Sequence, residues 1–299
     1  MAAEITTQDI QDVARTSLEE SYWGRARRRF AKNKLAMVSL VVLLMMHGAV
    51  MILPYFLSHD PDTINLFGRF LPPGANGHLL GTDEMGRDVF ARLVYGGRVS
   101  LGIGLSAMVG SIIIGTILGA LAGFWGGWVD TVIMRITDAM LSFPVFFILL
   151  TLLTILGTSI RMIVLVIALT SWMNVARIVR GEVLRAKSSQ YVEAAIALGN
   201  SGWAVLFRHI LPQSISSIIV AATLGVAYSI LTESSLSYLG LGVKPPTASW
   251  GNMLSGARSY IWSAPHLVWY PGLLIFVTVL LYNALGDGLR DALDTSGRS

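Results

Sequence analysis

The sequence predicts an all-α polytopic membrane protein with six transmembrane helices, and three observations lead to that fold class. Of 299 residues, 54% are hydrophobic and only 13% are charged, where a soluble domain carries about 25% charge. Mean hydropathy is +0.63. The apolar residues also gather into blocks of the roughly 20 residues that a bilayer crossing needs. A disordered chain and a secreted disulfide scaffold are excluded. With no cysteine, disulfides, thiol nucleophiles and thiolate metal sites are excluded within this chain. The net charge of +4 is weak evidence for a nucleic-acid partner, because basic residues in membrane proteins mostly serve topology.

The expected spans are Ala36–Leu57, Ser100–Phe124, Ala139–Leu156, Met162–Ile178, Ser214–Leu231 and Val268–Leu285. The fourth is short and carries Ser171, Asn174 and Arg177; the third has Pro144 near its start. The first 24 residues include Glu4, Asp9, Asp12, Glu19 and Glu20, unlike the basic start of a cleaved signal peptide. Arg25, Arg27, Arg28, Arg29, Lys32 and Lys34 stand directly before the first span, which holds that side cytoplasmic. Six crossings then place both termini inside. Lys and Arg are about twice as frequent on the inner segments of this arrangement as on the outer ones. Residues 1–35 form a cytoplasmic tail, in which Thr7–Phe30 has the helical spacing of an interfacial helix (Ile10, Val13, Ala14, Leu18, Tyr22, Trp23). Residues 36–285 form the membrane domain, with an outer loop at 58–99 and an inner loop at 179–213. Residues 286–299 form a cytoplasmic tail.

Enzyme signatures are missing. There is no GxxxxGKS/T, HExxH or GxSxG. His47, His59, His78, His209 and His266 are scattered and show no zinc spacing. The acidic stretch Gly81–Asp88 lacks the spacing of a calcium loop. No catalytic residue, metal or cofactor is therefore assigned to this chain.

The inner loop is the most informative segment. Val192 to Leu198 favours a helix, and Gly199 can end it in a left-handed cap. Ala194 and Ala195 offer a small-residue face with Glu193 beside it. Asn200–Gly202 reads as a turn, Trp203–His209 as a second short helix, and Pro212 as the first turn of the next span. A plain linker needs no such structure.

Glu193-Ala194-Ala195, Gly199 and Leu211-Pro212 resemble the EAA loop of ATP-binding-cassette importer permeases. The family pattern places Ile at position 209, where this chain has His209 followed by Ile210. Which of the two anchors the loop stays open. The resemblance extends to oligopeptide-permease C components through Ala26–Lys34, His78–Phe90, Ile230–Gly242, Ser249–Leu254 and Gly286–Asp294. It implies a type I (MetI-like) importer permease fold in a bacterial inner membrane. The 190s helix becomes a coupling helix docked on an ATPase, with Glu193, Ala194, Ala195, Gly199, Leu211 and Pro212 as coupling residues. The implied partners are a second related permease, two ATPase subunits that bind ATP and Mg, and an extracytoplasmic substrate-binding protein. The implied cargo is oligopeptides or dipeptides; close relatives handle nickel chelates, glutathione or oligosaccharides. An ion-coupled secondary transporter or channel is the rival of another class. It predicts midplane acids, which are sparse here.

Other residues carry narrower expectations. Gly110, Ser111, Gly115, Gly119 and Gly123 form a small-residue stripe that packs either within the subunit or against the partner. Arg135 and Asp138, three apart on one helix face, suggest an interfacial ion pair or an ATPase contact. Span five is chosen to line the pathway, through Ser217, Thr223, Tyr228, Ser229 and Glu233. Glu233 either gates the outer mouth or bonds the following turn. His47 reads as a satisfied polar residue.

Overall fold

The computed structural model describes residues 22–294; of the expected interfacial helix, Thr7–Ser21 lies outside them. Among the described residues the chain forms ten helices, with no strand; most connections are short, and the longest is the 53–88 segment. Helix α1 (Tyr22–Lys32) stops at Asn33, whose Oδ1 accepts the Ala36 N–H at 3.1 Å and starts α2 (Lys34–Ile52). Helix α3 (Val89–Trp125) begins three turns before the expected span. Asp88 caps it by accepting the Ala91 N–H, and its early Arg92 is buried against the Pro61 carbonyl oxygen at 3.0 Å and the Asp62 carboxylate at 3.3 Å. Those partners make a charged residue tolerable there.

The third span needs correction. The chain forms α4 (Gly127–Ser142) and α5 (Val145–Leu156), bent by 89° at Phe143–Pro144. Proline disfavours helix at the residue before it and removes a donor, so Ala139–Leu156 is not one straight helix. The pair still crosses from end to end. Trp125, just before α4, lies 4.5 Å ring to ring from Trp203 at the start of α8. Ser159, just after α5, shares a surface depression with Val243 and Lys244, just beyond the other end of α8. The fold therefore has five continuous long helices and one broken crossing.

Helix α6 (Ile160–Lys187) leads to the short α7 (Gln190–Ala197). Helix α8 runs Gly202–Tyr238 without interruption, which corrects the expected separate helix at Trp203–His209. Pro212 sits inside it because the preceding turn, Leu206–Ile210, widens to π geometry. The Leu211 N–H reaches the Leu206 carbonyl, five residues back. Helices α9 (Trp250–Ala257) and α10 (His266–Leu293) complete the chain. Arg29 donates to the Asp294 carbonyl oxygen at 2.9 Å, so the first and last described helices meet at one end of the bundle.

The centre of the bundle is the parallel pair α3–α6, its most extensive helix contact. The glycine stripe packs here, within the subunit. A Cβ on Gly115 would stand 2.7 Å from the Trp172 carbonyl oxygen, and one on Gly123 would stand 2.9 Å from the Val183 Cβ. Gly119 faces the Ala176 backbone in the same way. Lipid gives helices no hydrophobic drive to pair, so close backbone approach supplies the contact. Helix α4 is tied across α6 by Asp130–Arg180 at 2.5 and 2.6 Å and by Asp138–Arg177 at 2.6 Å. Asp138 thus pairs with Arg177 and not with Arg135, as the i,i+3 spacing had suggested.

Overpacking a tight helix contact costs about 1–3 kcal/mol. Gly119→Leu is expected to lower the thermal unfolding temperature of the detergent-purified protein. The same change at Gly102, where an added Cβ meets nothing within 4 Å, is expected to leave it within the scatter of the wild type.

Candidate functional site

Helix α7 stands on the bundle like a short foot. Val192 and Ala195 are buried beneath it, whereas Tyr191, Glu193, Ala194, Ile196, Ala197 and Leu198 face outward. The expected alanine face is therefore split. Ala195 anchors the helix, and Ala194 with Ala197 gives the outward surface its small residues. The end of α7 is a two-bond left-handed cap. Gly199 has φ +83°, its N–H reaches the Ile196 carbonyl at 2.9 Å, and the Asn200 N–H reaches the Ala195 carbonyl at 3.3 Å. The Asn200 side-chain amide adds a bond to the same Ala195 oxygen at 2.9 Å.

The structure also resolves which residue anchors the loop. Ile210 is fully buried and packs with Leu206 and Val205 in the main core, while His209 is half-buried. The π turn sets this register. Leu211 is half-buried and Pro212 exposed. Around the foot, Trp125, Trp203 and Phe207 form a chain of exposed rings, and Lys187 donates to the Phe124 carbonyl oxygen at 2.6 Å.

A groove rises from the foot between α6 and α8. Its lower cavity, about 440 Å³, is lined by Ile178, Glu182, Arg185, Ser217, Ala221 and Leu224, among others. Its upper cavity, about 290 Å³, shares Ile178, Ala221 and Leu224 and adds Ser171, Asn174 and Tyr228. The two form one track. Residues 217, 221, 224 and 228 make a single face of α8; residues 174, 178, 182 and 185 make one of α6. Ser217 donates to Glu182 at 2.8 Å, and Arg185 stands 3.6 Å from the same carboxylate.

The five pathway candidates separate by helical phase. Ser217 and Tyr228 lie on the groove. Thr223 points toward α10, its methyl near Gly286, and its hydroxyl donates to the Ile219 carbonyl. Ser229 is fully buried. Glu233 is also fully buried, and accepts from Ser100 at 3.0 Å and Ser237 at 2.7 Å. Ser100 in turn accepts the Trp250 N–H at 3.1 Å. Glu233 is therefore a joint between α3, α8 and α9, and its bond from Ser237 agrees with the second of its two expected readings, a bond to the turn that follows it. Span five was chosen by hydroxyl content alone, without helical phase. By phase, residues 223, 229 and 233 lie off the groove, whose α6 wall adds Asn174 and Glu182, neither of which was among the pathway candidates.

A family model described as "Binding-protein-dependent transport system inner membrane component" matches residues 115–298. This chain belongs to that family. The match begins at Gly115 and so takes in the C-terminal part of α3, the foot, the groove and the last span. A second model, "N-terminal TM domain of oligopeptide transport permease C", matches residues 21–73 of the permease. Relatives align over nearly its whole length. The oligopeptide transport system permease protein OppC of Bacillus subtilis is 41% identical over 96% of this chain and 93% of the relative. The dipeptide transport system permease protein DppC of Alkalihalophilus pseudofirmus is 41% identical over 93% and 91%. The glutathione transport system permease protein GsiD of Pectobacterium atrosepticum is 40% identical over 93% and 92%.

Removing the Glu233 carboxylate strands the Ser100 and Ser237 hydroxyls in a dry core, at about 1–3 kcal/mol per unsatisfied group. Glu233→Ala is expected to lower thermal stability clearly more than Glu233→Gln, which keeps an acceptor. Circular-dichroism melts of the purified permease check this order.

Proposed function

We propose that this permease is one of two homologous membrane subunits of an ATP-driven importer, and that its cargo is short peptides delivered by an extracytoplasmic binding protein. The observation that carries the reading is the rigidly capped, outward-facing α7 in a chain of this family. In this account the α7 end is cytoplasmic, with both termini, and the 53–88 segment faces outward across a bacterial inner membrane. Two ATPase subunits bind ATP and Mg, hydrolyse the nucleotide and hold the outward face of α7 in a cleft, where Glu193 meets a basic group. No catalytic step falls to this chain. Coupling requires that the ATPase contact differ in free energy between the inward-facing and outward-facing states.

The groove supports the cargo assignment chemically. Ser217, Asn174 and Tyr228 offer neutral hydrogen-bonding groups above the charged pair Glu182–Arg185. Such a wall solvates a peptide backbone without holding one side chain tightly. The groove is open along one side, where the second permease completes the pathway in this reading. Glutathione is the favoured variant cargo, because a relative carries that name, and it is itself a tripeptide.

The test is uptake into proteoliposomes holding both permeases, the ATPases and the binding protein. Labelled di-, tri- and pentapeptides are expected to accumulate only with ATP. Accumulation of a nickel chelate or an oligosaccharide alone would discard the peptide cargo, and accumulation without ATP would discard the importer. In the same system, Glu193→Ala and Gly199→Val are expected to cut transport at least about tenfold, roughly 1.4 kcal/mol of coupling, while the binding protein captures peptide normally. Gly199→Val additionally forces a β-branched residue into left-handed backbone. Ala221→Trp, which fills the groove, is expected to depress uptake with assembly intact, whereas Thr223→Val is expected to leave uptake near wild type.

A further inference from the structure

The 53–88 segment brings together groups that the sequence leaves far apart. His59 follows the turn at the end of α2, His78 follows the short turn Ala75–Gly77, and Asp88 caps α3. One ligand atom from each lies within 4.8 Å of the other two, the one such triad among the described residues. The His78 Nδ1 is 2.7 Å from Asp88 Oδ2, and the His59 and His78 rings lie 4.5 Å apart. Asp88 is buried and both histidines are half-buried. Residues Leu53, Phe56, Leu79 and Phe90 line an adjoining cavity of about 230 Å³.

From this convergence we propose that His59, His78 and Asp88 form a site for a divalent transition metal of the zinc class. A structural hydrogen bond would need only one imidazole beside Asp88. The second imidazole touches the first ring and makes no hydrogen bond among the described residues. Two nitrogens and one carboxylate oxygen are the borderline ligand set that suits Zn(II) with a fourth, open position. Three ligands with only one oxygen-donor residue are too few for calcium, which takes six to eight oxygens. In a tetrahedral site with metal–ligand distances of about 2.0–2.2 Å, ligand atoms stand about 3.4 Å apart. The His78–Asp88 contact at 2.7 Å then opens by about 0.7 Å, and the wider spacings, at most 4.8 Å, close by no more than about 1.4 Å. Asp88 keeps its other oxygen, Oδ1, on the Ala91 N–H, so it is held in place by the helix it caps. The bound ion ties the end of α2, the 72–81 loop and the start of α3 into one rigid outer surface. This site is separate from the groove and stands whether or not the cargo is peptide.

The test uses the complete complex in nanodiscs, stripped with a chelator and titrated with Zn(II) against a chromophoric competitor. Wild type is expected to bind one Zn(II) per copy of this chain more than His59→Ala or His78→Gln. Asp88→Asn, which preserves the helix cap, is expected to bind at least about tenfold more weakly. Co(II) is expected to give the intense visible bands of a tetrahedral site in wild type and not in His59→Ala. Equal stoichiometry in wild type and both histidine variants, each confirmed as assembled by gel filtration, overturns the proposal. So does a Co(II) spectrum unchanged by His59→Ala.

Discussion

Two helices surrounded by lipid tails gain nothing hydrophobic from touching each other, so α3 and α6 are held by how closely their backbones approach. Gly115, Gly119 and Gly123 remove the side chains that would keep them apart, and Trp172, Ala176 and Val183 fill the space. Much else is referenced to this contact. It fixes which face of α6 is buried, and hence that residues 174, 178, 182 and 185 face the groove. It fixes where α6 ends, and hence where α7 stands. The broken crossing of α4 and α5 is then fitted against the remaining face of α6, by the acid–arginine pairs below Pro144 and by Leu149 and Leu153 above it.

The two ends of the bundle solve opposite problems. At the α7 end the chain exposes most of a short helix that must keep its shape on a narrow anchor in the main core. The two-bond cap at Gly199 and the buried Val192, Ala195 and Ile210 do this. The π turn before Pro212 lets α8 run on as one rod from the turn after α7 to the far end of the bundle. At the opposite end the fold buries polar groups and satisfies them. Glu233, Ser100, Ser237 and the Trp250 backbone close one network. Asp83, Arg87 and Arg92 close another. A buried network of this kind is costly when incomplete and rigidifying when complete. One end therefore presents a capped, exposed helix and the other a closed network of buried polar groups.

Much of this was legible in the amino-acid pattern, for physical reasons that also explain the misses. Long apolar blocks announce crossings because the bilayer sets their length. The Gly199 cap was legible because a left-handed end needs glycine. The start of α3 was hidden because Arg92 looks like loop until its partners Pro61 and Asp62 are placed beside it. The break at Pro144 was visible as a residue but not as an angle. Glu233 stayed open between a gate and a bond to the following turn because a lone acid in an apolar run carries no mark of the distant Ser100 that also satisfies it. His59 and His78 were read as scattered, and Asp88 as part of an acidic stretch without calcium-loop spacing, because their convergence belongs to the loop fold and not to a spacing.

The central claim is that the outward face of α7 is the surface an ATPase subunit holds. The chain has no cysteine, so single-cysteine variants at two neighbouring positions test it directly with a short thiol-anchored photo-crosslinker in the assembled complex. Ala194→Cys, on the outward face, is expected to cross-link to an ATPase subunit with an efficiency that changes on adding ATP. Ala195→Cys, turned into the bundle, is expected to give little product. Equal yields from both positions, or ATPase cross-links from neither, would contradict the account.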